Sequence, residues 1–142
     1  MNHLSMETLE GMLEKAVEAS NRAYAPYSGF RVGACLRASS GKEYGGCNIE
    51  NAAFTPTTCA ERTALFTAVY QGEREFDGIA IACSGDNPAF PCGVCRQALS
   101  EFCSPDMPVY CCGTNGEAVL TTLGDLLPRS FGRSDLDKKK VK

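Results

Sequence analysis

The sequence predicts an α/β domain of three layers, α/β/α, around a mixed sheet of about five strands. Three observations lead there. The chain opens on a helical period, passes through a short alternating hairpin, and then alternates helix with strand, an order that puts helices on both faces of one sheet. At 142 residues and 44% apolar content it holds enough material for a single core of ordinary size.

Each element has its own signal. Leu9, Met12, Leu13, Ala16, Val17, Ser20 and Ala23 recur at three- and four-residue steps, which predicts an amphipathic helix over residues 6–23 with Ser5 as its N-cap. "PYSG" then turns the chain. "FRVGACLRA" (30–38) alternates as a strand, "SSGK" turns again, and "EYGGCNIE" (43–50) returns as an antiparallel partner. "TTCAERTALFTAV" (57–69) gathers Ala60, Ala64, Leu65, Ala68 and Val69 on one helical face and ends near Gly72. "FDGIAIACS" (76–84) is the continuous apolar run of a buried strand, "NPAFP" breaks it, and "CGVCRQALSEFC" (92–103) is a further helix. "MPVYCC", "EAVLTT" and "LGDLLP" follow as strand, strand and short helix. Residues 1–137 read as one domain and 138–142 as a basic, solvated tail.

Composition removes several functions. No run is long and apolar enough for a membrane span, and the opening "MNHLSMETLEGMLEKAVEAS" lacks the basic-then-greasy pattern of a signal peptide, so a cytoplasmic protein is expected. Nine cysteines without an export signal then argue for metal binding or core filling rather than disulfides. Four of the fourteen basic residues stand in the last five positions, leaving ten against seventeen acidic ones elsewhere, the wrong balance for wrapping a nucleic acid polymer. The lone histidine, His3, sits at a terminus, which leaves Cys-His and Ser-His-Asp mechanisms without a base.

The chemistry concentrates in two helix starts. Cys92 and Cys95 of "PCGVCR" are three apart, so both thiols face one side of a first helical turn. Cys59 also falls at a predicted helix start, where the macrodipole favours thiolate over thiol. Three thiolates from neighbouring helix N-termini close three corners of a zinc tetrahedron, and an open fourth corner marks a catalytic site. Each piece has a plainer reading as well. A lone C-x-x-C serves as a redox pair, free cysteines fill cores, and "TCAE" fits a capping box with Thr58 as cap and Glu61 reaching back. Cys-x-Glu, a long gap and Pro-Cys-x-x-Cys together form the zinc deaminase signature, with Glu61 as proton shuttle and cysteine as first ligand.

"FRVGA", "CNIENA", "CAERTA", "PCGVCRQ" and "LLPRSFG" stand in the order and approximate spacing of the small homotetrameric cytidine deaminases, and the chain resembles their three-cysteine zinc form over nearly its whole length. The resemblance implies hydrolytic deamination of cytidine and deoxycytidine to uridine and deoxyuridine, with release of ammonia, in pyrimidine salvage. It implies one Zn2+ per subunit on Cys59, Cys92 and Cys95, with Glu61 catalytic. It implies a homotetramer with shared active sites. Three thiolates leave the ion with net negative charge, and the resemblance implies that Arg62 withdraws part of it by bonding a thiolate, with Arg96 assisting or merely solvated. Asn48 and Glu50 would bind the ribose 3′-hydroxyl, Phe30 would pack on the pyrimidine, Ala60 would line the substrate, and Phe131 would reach a neighbouring subunit's site. Phe54 stands where the family commonly carries Tyr. Tyr27 is assigned to fold and subunit packing. No Gly-rich cradle or basic cluster suits a nucleotide.

Two rivals stay open at this level. A deaminase of a modified cytosine nucleoside such as blasticidin S shares "CAE" and "PCG-x-CRQ" but lacks a matching "CNIEN" and "F-x-VGA". A zinc-stabilised binding module would need a fourth ligand, for which Cys47, Cys83, Cys103, Cys111 and Cys112 are available.

Overall fold

A computed structural model describes residues 4–136; the basic tail and His3 fall outside them. The elements are α1 (Met6–Ser20), β1 (Val32–Ala38), β2 (Glu43–Cys47), α2 (Ala60–Tyr70), β3 (Phe76–Cys83), α3 (Gly93–Ser100), β4 (Pro108–Cys112), β5 (Ala118–Thr122), α4 (Leu123–Leu126) and α5 (Arg133–Leu136). Five strands form one sheet in the order β2-β1-β3-β4-β5, with β3 and β4 parallel and every other neighbour antiparallel. The mixed, five-stranded α/β sheet is the one the sequence predicts.

Strand alternation divides the core in two. From β1, β3 and β4, Ala34, Leu36, Ile79, Ile81, Val109 and Cys111 point to one face, where Ala64, Leu65 and Ala68 of α2 and Leu99 of α3 cover them. Cys35, Ala80, Ala82, Tyr110 and Cys112 point to the other, under Leu9, Met12 and Ala16 of α1. Glycines set both approaches: an added Cβ at Gly33 of β1 would stand 2.0 Å from the Ala16 carbonyl oxygen of α1, and one at Gly46 of β2 would stand 2.4 Å from the Ala60 carbonyl oxygen and 2.5 Å from the Ala64 nitrogen of α2. Only glycine lets the first turn of α2 seat there, and that turn carries the site.

Ser5 caps α1 as expected, its Oγ accepting from the Thr8 N–H at 3.1 Å. The helix stops at Ser20 rather than Ala23, because Tyr24 leaves it to bridge Ile49. α3 likewise ends at Ser100, short of Cys103, and β2 ends at Cys47, so Asn48 and Glu50 lie beyond the strand rather than in it. All nine cysteines are free of disulfides.

Candidate active site

The approach to α2 decides where the first thiol goes. Ile49 and Thr58 exchange both backbone hydrogen bonds, 2.9 and 3.0 Å, while Ile49 also bridges Tyr24, so the loop between them is closed at its neck. This pairing corrects the capping-box reading. Thr58 is held in a bridge and its hydroxyl donates to the Pro56 carbonyl; the N-cap of α2 is Cys59, whose side chain caps nothing.

The same device recurs at α3, whose N-cap is Cys92, again in extended backbone with no side-chain cap. Two sulfurs released from capping can face each other, and Cys59 Sγ lies 3.6 Å from Cys92 Sγ. Cys95, one turn into α3 and fully buried, completes a cluster whose sulfurs all lie within 4.8 Å of one another. Among the described residues no other histidine, cysteine or carboxylate joins it, so the five other thiols offered as a fourth ligand stay out. Three sulfurs at two helix N-termini suit zinc and could hold one ion.

Charge is arranged around them. Arg62 donates through Nε to Cys95 Sγ at 3.4 Å and through a terminal nitrogen to Cys59 Sγ at 3.5 Å, which places it where the sequence predicted a compensating cation. The neighbouring Cys95 thiol, followed by Arg62 and Cys92, pulls the Cys59 thiol down to about 5 against the effect of burial. Cys95 shifts up, because its own proton serves Cys59 and because it is buried. The Cys59 and Cys95 thiols in turn shift the Arg62 guanidinium further up.

Glu61 stands beside this cluster and is 4% exposed. Burial pushes its carboxyl up to about 7; the nearby Cys59 charge adds to that push, while its own backbone N–H and Arg62 oppose it. A carboxyl balanced near neutrality can both take and give a proton.

The remaining predicted residues are held mostly by backbone contacts of their own. Asn48 is buried, its Oδ1 accepting from the Val32 N–H at 2.9 Å and its Nδ2 donating to the Phe30 carbonyl at 2.8 Å. One N–H and one lone pair remain for another partner. Glu50 accepts from the N–H groups of Tyr27 (2.9 Å) and Ser28 (3.1 Å) and from the Ser28 hydroxyl, which hold its carboxylate below the usual range. Phe30 and Phe131 are 41% and 60% exposed, so neither is the plain core residue it otherwise resembles. Ala60 is fully buried in the core, so no part of it faces an open cleft in the single chain. Phe54 meets Tyr27 edge to face at 6.3 Å, with its backbone at φ 65°.

Arg96 corrects an expectation. It neither reaches the thiols nor lies in solvent: its guanidinium donates to the carbonyls of Pro91 (2.6 Å) and Leu126 (2.8 Å). Sequence reasoning also missed Ser28, which anchors Glu50, and Ser84, whose Oγ accepts from the Arg31 N–H at 2.9 Å and steadies the strand entry beside Phe30. Serines in turns give no pattern that separates an anchor from a solvated residue. Gly85 had a geometric reason to be glycine, since a Cβ there would stand 3.0 Å from the Phe30 ring.

Comparison with known proteins agrees with this geometry. Residues 6–111 match the model of the cytidine and deoxycytidylate deaminase zinc-binding region. A cytidine deaminase of Sporosarcina psychrophila is 46% identical over 128 residues, 90% of this chain and 94% of that protein. One of Halalkalibacterium halodurans is 41% identical over 126 residues, 89% and 96% of the two chains. Among solved structures, the cytidine deaminase of Burkholderia pseudomallei superposes with a TM-score of 0.83 at 42% identity, covering 92% of this chain and all of that one. The enzyme of Mycobacterium tuberculosis gives 0.76 at 31% identity, covering 92% and 99%.

Proposed function

The chain belongs to the cytidine and deoxycytidylate deaminase family, and from that premise we propose that it hydrolyses the exocyclic C–N bond of cytidine and deoxycytidine, giving uridine or deoxyuridine and ammonia. One observation carries the reading: a buried carboxyl, Glu61, lies two residues along the chain from the first thiol of a three-sulfur cluster. Cys59, Cys92 and Cys95 would hold the zinc ion. When bound, the ion supplies Lewis acidity, bringing a water's pKa toward neutrality at the fourth corner.

Glu61 moves the protons. At neutral pH its carboxyl, balanced at about 7, accepts one from the attacking water and delivers it to the ring nitrogen beside the amino-bearing carbon. It then takes the remaining proton from the added hydroxyl and carries it to the amino nitrogen, which leaves as ammonia as the C–N bond breaks and the carbonyl forms, and it ends as it began. Arg62 keeps the sulfurs from overloading the ion with charge.

Asn48 and Glu50 give the substrate its size. Both are held by backbone donors and acceptors yet keep hydrogen-bonding capacity for the ribose 3′-hydroxyl, and a bare base would leave that capacity unpaired. Phe30 packs on the pyrimidine, whereas the buried Ala60 supports the site from within the core. The exposed Phe131, Phe54 and Tyr70 support assembly as a homotetramer, with Phe131 entering a neighbour's site. Pyrimidine salvage in the cytoplasm fits the substrate, and among the described residues no helix is long and apolar enough to cross a membrane. Residues 1–137 act as the catalytic unit and 138–142 as an appended basic tail.

The test is the absorbance change on adding cytidine, followed alongside ammonia release, with free cytosine and blasticidin S as competing substrates. Consumption of cytidine but not cytosine is expected. Zinc-loaded protein that releases ammonia from none of them would make this a zinc-stabilised binding module instead.

A further inference from the structure

Two consecutive side chains of α3 reach the last residue of α4 and the segment that follows it, and neither bonds the thiols. Arg96 ties the carbonyl of Pro91 to that of Leu126, and Gln97 Nε2 donates to the carbonyl of Phe131 at 2.9 Å. The anchors at Leu126 and Phe131 bracket Arg129, whose φ of 53° is a left-handed backbone that costs a residue bearing a Cβ. Just beyond, the Gly132 N–H donates to the Asp135 carboxylate at 2.8 Å. A strained turn is thus pinned on both sides, and what it presents is a phenylalanine ring left mostly in solvent. Exposed aromatics on free loops are common; one held out by a clamped, strained turn is a built feature.

We infer that Gln97 and Arg96 are positioning residues: they lock residues 126–131 to the helix that carries Cys95, and so set the direction in which Phe131 leaves the surface to meet the nucleoside in a second copy's site. The inference rests on the reading of Phe131 as a substrate contact given above. Arg96 also holds the residue before Cys92, so its loss disturbs arm and thiols together. Gln97 holds the arm alone and is the cleaner probe.

Gln97→Met keeps length and removes the donor. It should raise KM for cytidine roughly fivefold, the worth of one net hydrogen bond, with kcat and zinc per chain at wild-type values, and Gln97→Lys, which restores a donor, should recover part of the loss. Phe131→Ala is measured in parallel and should raise KM at least as much. An unchanged KM in Gln97→Met beside a raised one in Phe131→Ala overturns the clamp and leaves the substrate contact standing. An unchanged KM in Phe131→Ala removes the contact itself and the inference with it. Loss of zinc and kcat together in Gln97→Met would assign the residue to the metal helix and also overturn the proposal.

Discussion

The sulfur corner and the proposed nucleoside rim of this molecule are built on opposite principles. At the corner, Cys59 and Cys92 are N-caps of two helices, Cys95 and Glu61 sit within their first turns, and Arg62 on the same helix as Glu61 spans the sulfurs. Regular backbone fixes every piece, and one chain contains them all. At the rim, Phe30, Glu50 and Phe131 lie on connecting segments and are held by hydrogen bonds between side chain and backbone, and both phenylalanine rings are exposed. Rigid helices suit chemistry that tolerates little displacement, whereas loops suit recognition that closes only on assembly. Damage at the corner should therefore appear in kcat and metal content, and damage at the rim in KM.

Glu61→Gln gives the largest effect. Loss of the proton shuttle should cost roughly 10²–10⁴-fold in kcat, with zinc retained when measured by metal analysis; a variant without zinc would mean that carboxyl and metal cannot be separated within the corner. Next comes Arg62→Gln, which should lower zinc affinity or turnover by roughly 10–100-fold, read by competition with a chelator. At the rim, Phe30→Ala should raise KM by roughly tenfold through lost ring packing and leave kcat near wild type. A fall in kcat of the same size would move Phe30 to the corner's class.

The smallest effect lies in neither region and serves as the control. Burial raises the Glu43 carboxyl, but hydrogen bonds from Lys15 and Arg37 outweigh that and hold it below the usual range. Its pairing thus stabilises the fold above the ordinary glutamate pKa, and that contribution is lost as pH falls through the folded value. Glu43→Gln should cost about 0.5–1 kcal/mol near neutrality, the difference from wild type in chemical denaturation should close in acid, and kcat should not change.

What the sequence made legible follows the same division. The sulfur cluster could be read because zinc chemistry demands particular residues at particular spacings, and Cys59, Cys92 and Cys95 obey them in two short stretches, whereas Arg62 was reached through the family resemblance. All five strands could be read because alternation and apolar runs are local. The rest depends on partners that leave no mark in sequence. Thr58 looked like a helix cap until its backbone paired with Ile49, and Arg96 looked solvated because its partner is the carbonyl of Leu126, which any residue there would present. Helix ends overran for the same reason: Tyr24 stops α1 from outside by bridging Ile49.

X-ray absorption at the zinc edge of the loaded enzyme tests most directly whether the corner is catalytic. An incomplete protein shell predicts three sulfurs at about 2.3 Å and one oxygen near 2 Å, the oxygen shell changing when cytidine is added. Four sulfurs around the ion, indifferent to cytidine, would contradict it.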